Sequence, residues 1–476
     1  MNTNMKTRYL IALLFAVSLS SSCEKWLDIE PQYEITDTDL YKNAAGYYKA
    51  VNGLYFQMAS TSLYGKELSW GMTDVWARYY YVDPASDFEA YPQIFDLQYD
   101  GDELSGVASS IWSSGYKIIA QANDLIAHAE STDEEFFPLE AVDRNTILGE
   151  AYAIRGMMHL DLMRVFGASM NVDPDGRYVP YVDSYPSTVN PPISNREYMT
   201  RVIEDLKRAY GLLKTFDVET DPTYSLSPVY RFSPTNIPAQ GEFFSMRGTR
   251  LNYYAVTVLL ARACLWAGDP DQALIYAQEI IDLVTDQTIK LASSGTISGT
   301  PKIFEELLFG YYNEDLVDTY EPYANATNSQ RLTVDDKTFF STPTSDKRAN
   351  FVKGNFMQKY IVENSTEKDC IIPGIRLSEA YYIAAECLYK RDMTAAASDL
   401  MAIRKARGYS SPVLSGTMTE EEFWEALTYE YRKEFIGEGQ LLFFFKRTNR
   451  PITYSGGNFN HGGKLVMPVP DSESAI

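Results

Sequence analysis

The sequence predicts a mainly α-helical fold, a helical-repeat scaffold carrying long irregular insertions. Three observations lead there. Apolar residues recur with a 3.6-residue period in a series of segments, two helical pairs repeat one another, and Pro-, Gly-, Ser- and Tyr-rich stretches separate the periodic segments. The chain has 476 residues, 45% of them apolar, which is enough to bury a sizeable core. Its net charge of -22 excludes the basic footprint that a nucleic-acid binder needs. Tyr is unusually abundant, 36 residues against 23 Phe. A tyrosine puts an apolar ring and a polar hydroxyl at one place, which suits half-exposed surfaces.

The first element is an address. Lys6 and Arg8 precede the apolar run Leu10 to Leu19, too short to cross a hydrocarbon core that needs ~20 helical residues. Residues 1–22 therefore read as a signal peptide, and Cys23 follows Ser20, Ser21 and Ser22 as a lipidation site would. Residues 23–476 are expected to form a single domain. Helical periodicity marks 39–59, 105–130, 144–166, 196–214, 250–267, 270–285, 376–390, 393–407 and 421–436. The insertions fall near 60–104, 167–195, 215–248 and 290–374.

The repeat lies in 251–284 and 375–407. Cys264 and Leu265 correspond to Cys387 and Leu388, Asp269 to Asp392, and Ala273 to Ala396. Gly268 can end one helix, Asp269 can cap the next, and Pro270 suits its first turn. Ala273, Ala277, Ile280, Ile281 and Val284 mark a buried stripe with small residues for close helix approach. Paired helices of about 34 residues with Ala at the contacts are the tetratricopeptide pattern. Cys264, Cys370 and Cys387 show no CxxC or His-rich spacing, so neither a disulfide scaffold nor a metal site is expected. Cys264 and Cys387 sit within apolar helical patterns, as small core residues.

Several segments together resemble the SusD/RagB family of outer-membrane nutrient-binding lipoproteins from Bacteroidota. They are the opening Cys23-Glu-Lys-Trp-Leu27-Asp28-Ile-Glu-Pro31, the helix from Gly149 to Gly167, the helix from Arg250 to Gly268, and Ile375 through Glu386. Tyr429 through Gly439 and the terminal Pro468-Val469-Pro470 complete the set. After Gly439 the chain departs from the family pattern, with Leu441 and Phe444 where an Arg and an Asp are usual. The resemblance implies a lipid-anchored, surface-exposed protein of the outer membrane. It also implies that the protein captures a glycan and delivers it to a SusC-like TonB-dependent transporter, without catalysis and without a cofactor. A RagB-like oligopeptide binder is the alternative, and a helical-repeat glycoside hydrolase a more distant one.

A glycan site needs flat aromatic faces with amide, carboxylate or guanidinium groups beside them. The densest such stretch is Trp70 to Asp83, and by the resemblance it supplies Trp76, Arg78 and Tyr80, assisted by Trp70, Asp74 and Asp83. Tyr311, Tyr312, Tyr320 and Tyr323 with Asn313 and Asn325, in the 290–374 insertion, form a second candidate group. No catalytic motif appears: G-x-S-x-G, Walker-loop and HExxH spacings are all missing. Arg155 lies on an apolar helical face and needs a partner there, for which Glu379 or Glu386 is expected.

Overall fold

The computed structural model describes residues 37–82, 90–297, 301–325, 331–362 and 366–474. They fall into two units, one within Met1–Asn43 and the other Ala44–Ile476. In the first, Asp37–Leu40 forms a single helical turn. The second contains every feature discussed below. The segment 1–22, Cys23 and Asp83 lie outside the described residues.

The periodic segments fold as helices: α1 Ala44–Met58, α2 Asp102–Ser131, α3 Ala141–Phe166, α4 Asn195–Lys214, α5 Tyr253–Trp266 and α6 Pro270–Thr285. They continue as α7 Leu377–Leu388, α8 Met393–Ala406 and α9 Glu420–Glu434. A further helix, α10 Gln440–Thr448, follows where periodicity had marked none. From α1 to α8 each helix packs against the next, so the scaffold is a stack in chain order. The repeat is visible in its helix ends. Asp269 accepts a hydrogen bond from the Gln272 N–H (3.0 Å) and Asp392 from the Ala395 N–H (2.9 Å). Each side chain thus satisfies an N–H that has no partner within the helix. Gly268, at φ 79°, makes the left-handed turn between α5 and α6. Ala273, Ala277, Ile280 and Ile281 are buried as the stripe requires, while Val284, near the helix end, is only half-buried. Burial pushes the Cys264 and Cys387 thiols up to about 12, which suits inert core residues.

Helix α3 is buried along nearly its whole length, so its polar residues must find partners inside. Arg155 does, but in Asp205 of α4, at 2.7 and 2.6 Å, and not in Glu379 or Glu386. Those two acids bind Arg262 and Arg447 instead. His159 stacks on Tyr181 at 3.9 Å and shares a 2.7 Å hydrogen bond with the Tyr198 hydroxyl. Burial drives its pKa down to about 3, so the ring is neutral.

The insertions attach to this stack through buried charge. Strands β1 Leu307–Tyr312 and β2 Ile371–Arg376 pair antiparallel, with Tyr312 opposite Ile371. Around them Glu434 receives Arg348 and Arg407, and Arg407 also grips Glu306 with two 2.7 Å bonds. Ion pairs so enclosed specify a geometry more than they stabilise it, since desolvation offsets most of the attraction. Leu441 and Phe444, at the positions where the resemblance leads one to expect charges, are buried, and Phe444 stacks on Tyr431 at 4.4 Å.

Candidate functional site

Phe56 and Tyr312 are the starting point, because the structure exposes them where most aromatic residues are covered. Phe56, in the last turn of α1, is 76% exposed, and Tyr312, at the end of β1, is 40% exposed. Tyr312 ends a strand that is otherwise buried on both faces, and its neighbour Tyr311 stacks inward on Tyr64 at 4.1 Å. The two strand and helix ends are tied together by Asn313, whose amide donates to the Ala59 carbonyl at 3.0 Å. Phe56 and Tyr312 each line two adjoining cavities, of about 680 and 540 Å³, and thus form a ridge between two lobes.

The larger lobe is walled by α1 and by the loop 240–250. Residues 45, 48, 49, 52 and 56 follow helical spacing, so one face of α1 lines it. Tyr48 stacks on Phe243 at 4.1 Å, and the Arg250 guanidinium lies 4.2 Å from the centre of the Phe243 ring. The Tyr48 hydroxyl donates to Asp143 at 2.7 Å; burial and that carboxylate raise its pKa, which keeps the proton in place. The smaller lobe is polar. Ser62 bonds Ser60 and Ser114 at 3.0 Å each, and Lys117, Glu314 and Asp315 stand exposed around it. Such an arrangement offers two exposed rings flanked by hydroxyl, amide and charged groups. Among the described residues no cluster of His, Cys, Asp or Glu could hold a metal ion, and no helix is long and apolar enough to cross a membrane.

The candidates from the aromatic segment lie elsewhere, and the structure corrects their reading as a stacking surface. Trp70 is fully buried; its Nε1 donates to the Gly65 carbonyl at 3.0 Å and its ring meets Tyr320 and Tyr323 edge to face. Tyr323 is therefore core as well. Asp74 is buried and accepts from the Gly437 and Gly439 N–H groups at 2.6 and 3.2 Å. Burial holds its pKa well above the usual carboxylate range despite those donors. Trp76 is 1% exposed, with the Lys446 ammonium 5.8 Å from its ring centre. Arg78 lies between the rings of Phe95 and Phe459 and donates to the Phe95 carbonyl at 2.8 Å. Tyr80 is buried in a short pairing with Val334, while its neighbour Tyr81 is exposed. Of the sequence candidates among the described residues, Tyr312 reaches the groove as an exposed ring, with Tyr311 in the wall of the larger lobe and Asn313 in that of the smaller. Phe56 escaped notice because it sits inside a helical pattern, where a lone apolar residue on the polar face carries little weight. Its spacing four residues after Asn52 and seven after Lys49 was the available signal.

A model described as the SusD family matches residues 310–473, and one described as starch-binding associating with outer membrane matches residues 25–231. No curated protein matches the chain. A solved structure of a putative sugar binding protein from Bacteroides vulgatus superposes with a TM-score of 0.70 at 22% identity, covering 91% of this chain and 96% of that one. A SusD superfamily protein from Bacteroides thetaiotaomicron gives 0.70 at 21%, covering 91% and 98%. Surface glycan-binding protein A from Bacteroides thetaiotaomicron, solved in complex with laminarihexaose, gives 0.64 at 17%, covering 90% and 97%.

Proposed function

This chain belongs to the SusD family, and we propose that it captures a glycan across the Phe56–Tyr312 ridge and carries out no chemistry on it. The observation behind this is the pair of exposed rings shared by two lobes, each with hydroxyl, amide and charged side chains in its wall. A sugar ring has an apolar C–H face and a hydroxyl edge, so it can stack on a ring while its edge bonds to groups beside it. An exposed aromatic ring supplies rigid contact area at low entropic cost. The family description and the oligosaccharide bound by a structural relative favour the same ligand class. In this reading Cys23 is lipidated, the anchor holds the protein at the outer membrane, and the glycan passes to a SusC-like TonB-dependent transporter.

Affinity electrophoresis in gels containing laminarin, starch, xylan, galactomannan or polygalacturonate is the direct test, with an oligopeptide panel in parallel by calorimetry. Retardation by a polysaccharide, lost in Phe56→Ala and Tyr312→Ala, is the expected result. Binding to peptides alone would replace the ligand class, and reducing ends released on incubation would replace the mechanism. Palmitate labelling that disappears in Cys23→Ala, and co-purification with a barrel transporter, check the anchor and the partner.

A further inference from the structure

The larger lobe contains a side chain whose orientation is dictated from below. Glu150 of α3 is completely buried; it accepts a hydrogen bond from Arg250 Nε at 3.1 Å, and Arg250 Nη2 stands in ion-pair contact with its other oxygen at 2.9 Å. Burial raises the Glu150 pKa, but Arg250 and then Arg247 more than offset this and hold it below the usual carboxylate value, so the acid stays ionised. With two of its nitrogens committed to Glu150 and one face against Phe243, Arg250 extends its remaining Nη1 to the Asn52 Oδ1 at 2.7 Å. A guanidinium can only donate. The Asn52 amide must therefore turn its oxygen toward Arg250 and its NH2 group away, into the groove, where Asn52 is exposed. Among the described residues that NH2 group has no protein partner. Phe56 lies one helical turn further along the same face of α1, and residues so spaced have Cβ atoms about 5–6 Å apart. An oriented amide donor thus stands beside the exposed ring.

Building on the glycan-binding reading above, we propose that Asn52 is a specificity-determining residue. Its NH2 group donates to a hydroxyl or ring oxygen of the sugar stacked on Phe56, and Arg250, braced by Glu150, is the positioning residue that fixes which way the amide faces. The competing role for Asn52 is a structural tie between α1 and Arg250. The two roles separate in Asn52→Asp. That variant has the same shape and binds Arg250 at least as well, because a carboxylate replaces the amide oxygen, but it has no N–H to give.

The test measures calorimetric affinity for whichever panel polysaccharide retards the wild type most. Asn52→Asp and Asn52→Ala are each expected to weaken binding at least tenfold, with the melting temperature of Asn52→Asp unchanged. Arg250→Lys, which replaces a fork by a point charge, should weaken binding too, and adding it to Asn52→Ala should bring no further loss. Wild-type affinity in Asn52→Asp would overturn the donor role. Additive losses in the double variant would overturn the positioning role of Arg250. Phe56→Ala and Tyr312→Ala keep these failures distinct from failure of the groove itself. If both bind normally the groove is wrong, whereas if both lose binding while the Asn52 variants keep it, only this inference falls.

Discussion

The aromatic side chains of 70–80 and those of the Phe56–Tyr312 ridge have the same chemistry and opposite surroundings. Trp70 meets Tyr320 and Tyr323, Tyr79 donates to the Arg432 carbonyl at 2.9 Å, and Asp74 holds the turn at Gly437 and Gly439. All these partners lie hundreds of residues along the chain, and together they close over the segment. Phe56 and Tyr312 stand at the ends of a helix and a strand, and among the described residues both keep an exposed face. The difference teaches that aromatic density in a sequence reports how much ring must be placed, not on which side of the surface. Covered rings serve stability and uncovered ones are free to serve a ligand.

That division can be broken by substitution. The largest effect is expected for Trp70→Ala, which leaves a cavity and an unpaired Gly65 carbonyl. It should cost ~3–5 kcal/mol in urea unfolding, and a loss below ~1 kcal/mol would mean that the segment is not core. Adjacent residues of β1 give a sharper contrast. Tyr311→Ala should cost ~3 kcal/mol, whereas Tyr312→Ala should stay within ~0.5 kcal/mol of the wild type while weakening glycan binding roughly tenfold. Equal stabilities for the two would erase the distinction between inner and outer rings.

A pH scan reads the buried side more finely. The folded pKa of His159 is about 3, below the ~6.5 of an unfolded histidine. Between those values the unfolded chain binds the extra proton. The contribution of His159 is therefore fully present above ~6.5 and is lost as pH falls toward 3, at up to ~1.4 kcal/mol per pH unit. His159→Gln should flatten the stability–pH curve between pH 6.5 and 4.5 relative to the wild type, as measured by denaturant midpoints. Parallel curves would show that the ring protonates in place. The smallest effect is expected for Phe56→Ala on stability, where differential scanning should find a shift of no more than a degree or two.

Much of the scaffold was legible in the chain. Helical periods, the caps at Asp269 and Asp392, the left-handed Gly268 and the Ala-lined stripe of α6 all depend on residues within a few positions of one another. Helix α10 was missed because Leu441 to Phe445 is apolar without a break, which hides the period, and the structure buries all of that run. Tyr312 was within reach of sequence reasoning, and Phe56 only through its spacing from Lys49 and Asn52 on one helical face. The Arg155 side chain shows the limit most plainly. Its burial and its need for a carboxylate followed from the apolar face it occupies, yet α4 brought Asp205 to it where acids on α7 had been expected.

The sequence by itself determined where all the long helices but α10 lie, how the paired repeats are built, and which family the chain resembles, because each rests on short-range spacing or on motif order. Tertiary structure alone decided which rings are covered, which acid answers which arginine, and that Arg250 turns the Asn52 amide toward the groove. Those outcomes depend on segments far apart in the chain that meet only when the stack closes, and no local pattern encodes which of them will be on top.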